Sequence, residues 1–245
     1  MNTKIVTPQQ IIDGEFKLNI DQSRKPSQYG AIFIDILMKI DEQWCSFIIK
    51  ETDDVITLNT PYKNEMNKNI VSFNTARIAW SPSPLMKIAL ETIDTTITKA
   101  LKSMNIKLSN SMINTINNFN GFKLIQTTRI DKDTNSIIAL NEPIMRCTIP
   151  YSRNAKGSHS DDDHSTWISI KNEQNIHTHP KLSEINNVIP RGSRIRLGFS
   201  LGPIVLSTPN NRDTVSIRND IQGIVVIERS NVIFVNRAEE ITDLL

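Results

Sequence analysis

"AIFIDILMKIDEQWCSFIIK", residues 31–50, places Ile32, Ile34, Ile36, Met38 and Ile40 at every second position, with Asp35 and Lys39 between them. A period of two is that of a pleated strand, not of a helix. "DEQ" interrupts the run and a second apolar segment, "WCSFIIK" (44–50), follows at once. The stretch predicts an antiparallel hairpin with one buried face.

Working outward, the same signal recurs along the chain. Strands are predicted at "VITLN" (55–59), "IVSFNTARIAW" (70–80), "FKLIQTT" (122–128), "IMRCTI" (144–149), "TWISI" (166–170), "RIRLGFSL" (194–201), "GIVVIE" (223–228) and "VIFV" (232–235). One region changes period. After "SPSP", the segment "LMKIALETIDTTITKALKSM" (85–104) sets Leu85, Ile88, Ala89, Ile93, Ile97, Ala100, Leu101 and Met104 three and four apart, an amphipathic helix that starts at Ser83–Pro84. A shorter helix is predicted from Ser109 to Phe119, with Met112, Ile113 and Ile116 inward and Asn120–Gly121 as its stop. The chain reads as mainly β with a helical insertion over about 84–120, an antiparallel barrel or sandwich. No linker divides it, so a single domain over 1–245 is expected.

The 245 residues suffice to bury a core without disulfides or metal. Hydrophobic content of 38%, 22% charged residues and two cysteines, Cys45 and Cys147, are those of a globular protein of a reducing compartment. No apolar run is long enough to span a membrane, and "MNTKIVTPQQ" has no apolar signal-peptide core. The net charge of +2 is unevenly spread. Residues 190–219 carry Arg191, Arg194, Arg196, Arg212 and Arg218 against one acid, Asp213, whereas the end, "AEEITDLL" (238–245), is acidic. The asymmetry points to a polyanion partner for the body of the protein.

All four histidines, His159, His164, His177 and His179, fall in one window with Asp161, Asp162 and Asp163. These are zinc-type ligands, but the spacing lacks a helical face to hold them together. "HTHP" resembles the metal motif of zinc-dependent deubiquitinase-type peptidases, yet the serine and aspartate positions of that motif are Val188 and Arg191 here. The segment of about 152–165 is therefore read as a polar loop, with no metal and no cofactor expected. A Gly-rich phosphate loop and an activated cysteine are both missing from the sequence, so no enzymatic activity is expected.

Small β-barrels bind single-stranded nucleic acid through cations that follow the phosphates and aromatic faces on which bases stack. Candidate phosphate contacts are Lys63, Lys68, Arg77, Arg146, Arg153, Lys156, Arg191, Arg194 and Arg196. Alternation puts Arg194 and Arg196 on one face, about 7 Å apart along the strand. Among Tyr29, Trp44, Tyr62, Trp80, Tyr151 and Trp167, the stacking candidates are Tyr62 and Trp167, while Trp44 and Trp80 are assigned to packing.

The order of these motifs resembles a family of single-stranded-DNA-binding-like proteins of large DNA viruses of the algal-virus and giant-virus type. The resemblance covers about 55–228 and is carried by "LNTPYK" (58–63), the helix "LMKIALETIDTTITKAL", "MRCTIPYSRNAKG" (145–157), "IPRGSRIRLGFSLGPIVLS" (189–207) and "IQGIVVIE" (221–228). Where that family has an aromatic pair in the closing hairpin, this chain has Ile204 to Ser207. The resemblance implies an OB-like barrel that binds single-stranded DNA, in preference to RNA, during replication, recombination or repair. It also implies a homo-oligomer, replication partners recruited through an acidic end, and a location at a viral replication site in the host cytoplasm or nucleus, or in the virion. The alternative expectation is a non-enzymatic virion scaffold that uses the same barrel for assembly contacts.

Overall fold

The computed structural model describes residues 3–21, 31–58, 76–131, 134–149, 151–153, 159–164, 167–170, 177–178 and 185–230, and of the strands between 151 and 178 the backbone alone. The first half contains β1 (Thr3–Val6), α1 (Pro8–Ile12), β2 (Phe16–Ile20), β3 (Ile32–Ile40), β4 (Gln43–Lys50), β5 (Val55–Ile56), β6 (Ala76–Trp80), α2 (Pro84–Ser103) and α3 (Asn110–Asn117). The second half contains β7 (Ile125–Ile130), β8 (Ile137–Ile149), β9 (Tyr151–Arg153), β10 (His159–His164), β11 (Trp167–Ile170), β12 (His177–Thr178), α4 (Ile185–Val188), β13 (Arg194–Leu201), β14 (Ile204–Ser207), β15 (Thr214–Ser216) and β16 (Asn219–Glu228).

The hairpin that opens the sequence forms as its alternation requires. Ile40 pairs with Gln43, and Asp41 and Glu42 between them have φ of 50° and 61°. Two left-handed residues make the tight turn whose twist matches the flanking strands. Ile34, Ile36 and Met38 are buried, and so is Leu37 on the opposite side.

The pairings close a circuit. β5 pairs with β13, β13 with β16, β16 with β8 through Asp220 and Thr148, and β8 with β6. A bridge from Thr57 to Trp80 returns β6 to the chain that continues β5. With β4 and β5 as one curved wall, this is a five-stranded barrel of the OB type. Trp80 and Phe199 are fully buried, and their rings meet at 5.9 Å and 58°. The barrel departs from the all-antiparallel expectation, because β1 with β4, β11 with β16 and β8 with β16 are parallel. Long connections separate each of these pairs in the chain, which is what parallel neighbours need.

β16 owes its fit to an irregularity. Its buried residues are Ile221, Ile224 and Val226, a three-residue step followed by a two-residue step. The register slips where Gly198 pairs with Gly223 and Phe199 with Ile221, so one extra residue is accommodated and the apolar side returns to the interior.

The turn that leads into β13 is locked against the end of the first wall. Ser193 N–H donates to Pro190 O at 3.2 Å, and Gly192 at φ +86° supplies the left-handed third position that a type II turn demands. Thr57 then binds this turn at three atoms. Its N–H donates to Ser193 O at 2.9 Å, its carbonyl accepts from Gly192 N–H at 2.9 Å, and its Oγ1 accepts from Ser193 N–H at 3.0 Å. Thr57 Oγ1 also donates to Pro190 O at 3.1 Å.

α2 begins where predicted. Ser83 caps it by accepting from Met86 N–H at 3.3 Å, and Ser83 Oγ–H donates to Glu51 Oε1 at 2.6 Å. Its buried stripe is Met86, Ala89, Leu90, Ile93, Ile97 and Leu101, whereas Ile88 is half exposed. The stripe is rotated slightly from the predicted one because the helix packs on α1 and β2 rather than on the barrel alone.

Thr57→Val keeps the side-chain shape but removes both Oγ1 bonds and leaves Ser193 N–H with its 3.2 Å bond to Pro190 O alone, so it should lower the unfolding free energy by about 1 kcal/mol in urea denaturation. Burial raises the Glu51 carboxyl above its usual range, with Ser83 pulling the other way. The folded state therefore holds that proton more tightly than the unfolded chain. The resulting stabilisation is complete below the ordinary glutamate range and is lost as pH rises through the raised pKa. Glu51→Gln should remove this slope, matching the native protein at pH 4 and exceeding it at pH 8 in melting experiments.

Candidate nucleic-acid interface

β6 and β8 form the second and third walls of the barrel, and their alternation separates two sets of residues. Ile78, Trp80, Met145, Cys147 and Ile149 point into the core. Arg77, Ala79, Arg146 and Thr148 face outward, with Arg77 opposite Thr148 and Ala79 opposite Arg146. Arg77 and Arg146 are exposed and stand as diagonal neighbours, with the small residues opposite them, Thr148 and Ala79, buried. Diagonal positions on an antiparallel pair lie within reach of long side chains, so the two arginines form one cationic strip on this pair of strands. Arg146 Nη1 donates to Gln126 Oε1, and Gln126 Nε2 donates to Thr128 O at 2.8 Å. Arg146 is thus oriented by the neighbouring strand.

Arg194 and Arg196 do lie on one face of β13, as their spacing predicts, between the buried Ile195 and Leu197. The pairing of β5 with β13 also brings Asp54 between them. Arg196 Nε is 2.5 Å from Asp54 Oδ1, Arg194 Nε is 3.8 Å from Oδ2, and Arg194 Nη2 is 3.4 Å from Glu228 Oε2. Two cations thus share two carboxylates, and this patch is close to neutral. Arg191 is exposed at the second position of the type II turn that Thr57 holds. Arg218 is similarly committed, to Asp220 at 2.7 Å.

Tyr62, Lys63, Lys68, Lys156 and His179 lie outside the described residues. The polar loop expected over 152–165 contains two paired strands instead, with Arg153 opposite His159 and Tyr151 opposite His164. His177 pairs with Ser169 in the main sheet, so His159 and His164 belong to a different sheet from His177. Among the described residues no cluster of metal-ligating side chains occurs. Trp167 pairs with Gly223, which pairs with Gly198, which pairs with Lys50, a row across four strands. Lys50 escaped the sequence reading. The signal was there: an isolated glycine inside each of two strand patterns marks a close backbone approach or a bulge. Trp44, assigned to packing, is 38% exposed and lies under Lys17 Nζ at 5.7 Å.

The buried thiol of Cys147 is pushed up in pKa by desolvation and then by Asp220, which disfavours the reactive thiolate. No helix among the described residues is long and apolar enough to cross a membrane.

No protein-family model and no curated protein matches the chain. Among solved structures it is similar to the single-stranded DNA-binding protein of bacteriophage Enc34 in complex with ssDNA, at a TM-score of 0.38 and 10% identity, over 89% of this chain and 98% of that one. It is also similar to gp2.5, a single-stranded DNA-binding protein encoded by bacteriophage T7, at a TM-score of 0.45 and 9% identity, over 82% of this chain and 96% of that one.

Proposed function

We propose that this protein binds single-stranded DNA without sequence preference, as a non-catalytic component of DNA replication. The observation that carries the reading is the exposed pair Arg77 and Arg146 on the outer face of β6 and β8. In OB-type barrels the second and third strands and the connection between the first two form the oligonucleotide face. That connection here is the 59–75 segment, which holds Tyr62, Lys63 and Lys68. The motif resemblance to viral single-stranded-DNA-binding-like proteins supports the same reading and favours DNA over RNA.

In this arrangement the cations of the strip neutralise phosphates and release counterions, while Tyr62 stacks on a base. Arg194 and Arg196 contribute by exchanging Asp54 and Glu228 for phosphate. Arg191, on the turn that Thr57 holds, is placed to extend the strip.

Titration of a labelled 20-nucleotide oligothymidylate by fluorescence anisotropy should show tight binding at 50 mM salt that weakens steeply by 200 mM. Absence of binding at low salt would overturn the reading. In the Arg77→Gln, Arg146→Gln double variant, affinity at 50 mM should fall at least tenfold. The log–log salt slope should become shallower by about 1.4, or about 0.7 for each phosphate that is no longer neutralised. An unchanged slope would move the interface off this face.

A further inference from the structure

A cavity of about 230 Å³ opens beside Arg146, on the edge of β8 opposite β6. Its lining includes the apolar Phe122 and Ile144, the amide-bearing Gln126 and Asn219, and the cationic Lys123 and Arg146. Pockets for drug-sized ligands begin at roughly 300 Å³, so this one suits a single planar ring.

The backbone around it is held in an uncommon conformation. Lys123 has φ +53° without being glycine, a left-handed geometry that strains a residue bearing a side chain. Asp94, in the middle of α2, imposes it by accepting from Phe122 N–H at 2.8 Å and from Leu124 N–H at 3.2 Å. Phe119 braces Phe122 edge-on, with ring centroids 4.8 Å apart. On the other side, Gln126 holds Arg146. An aromatic wall and two cations are thus fixed from separate elements around one ring-sized space.

We infer that this cavity takes one nucleobase of the bound strand, flat against Phe122, with the adjoining phosphate between Lys123 and Arg146. The inference rests on the proposed strand binding and adds to it a specific base site, continuous with the cationic strip through Arg146. Glycine would relieve the strain at position 123, and the lysine found there is explained by a charge wanted at the rim.

The test compares the 20-nucleotide oligothymidylate with an abasic strand of the same length at 50 mM salt, on the native chain and on two variants. The native protein should prefer the base-bearing strand about tenfold or more. Ile144→Trp fills the cavity and should reduce that preference severalfold, the remainder belonging to Tyr62, while the salt slope stays as it was. Lys123→Gly should weaken binding of both strands severalfold without lowering the melting temperature, since glycine adopts the left-handed region freely.

A native protein that binds neither strand overturns the strand-binding reading and the base site with it. Equal affinity for both strands leaves strand binding standing and overturns the base site. Full preference retained in a folded Ile144→Trp also overturns the base site, as does unchanged affinity in Lys123→Gly. If Ile144→Trp fails to fold, Phe122→Leu, which removes the aromatic wall alone, decides in its place, and a full preference retained there overturns the base site.

Discussion

The barrel depends on Thr57. It stands where the first wall has shrunk to two residues of ladder, and without further bonds the gap between β5 and β6 would leave the circuit open. Three backbone and side-chain links to Gly192 and Ser193, with a fourth to Pro190, fasten the fourth wall to the first at that point. Ser193 and Thr57 are both buried, so the bonds between these two residues are shielded from water and costly to leave unmade. The "IPRGSRI" stretch and the residue that precedes "LNTP" therefore meet in space. Two segments 136 residues apart at this bond serve one mechanical task, since together they shut the barrel.

That closure also governs the charges. Bringing β5 beside β13 delivers Asp54 to Arg194 and Arg196, so the densest run of arginines in the sequence is balanced by acids from neighbouring strands. The strip on β6 and β8 has fewer cations in sequence, yet Ala79 and Thr148 between its arginines carry no charge. Exposed pairs such as Arg196 with Asp54 contribute little stability, and their main effect is on the local potential. A count of arginines along the chain therefore overstates the charge that β13 presents on the folded surface.

Much of the fold was legible because it is local. The β3–β4 hairpin, the span of β13 and the serine-capped start of α2 all follow from alternation, turn residues and capping within short windows. What escaped is non-local. Nothing around Ile88 announces that Met86 takes its place inside, because that depends on where α1 and β2 sit. The slip in β16 hides the continuity of Ile221, Ile224 and Val226, and the parallel neighbours of β16 arrive through long connections. At the candidate site, Arg77 and Arg146 were identified as cations, but their adjacency required the register of β6 on β8. Lys123 was passed over because its rim position comes from a helix some thirty residues earlier.

Asp94 gives that helix a second role. A carboxylate usually caps the end of its own helix, but this one projects from the interior of α2 and orders a separate loop. The backbone of Phe122 and Lys123 is consequently carried by a twenty-residue helix anchored on six buried side chains. In most surface loops the entropic cost of ordering the backbone falls on the binding step. Here it falls on folding, and the backbone at the rim of the cavity is ordered in the folded protein itself.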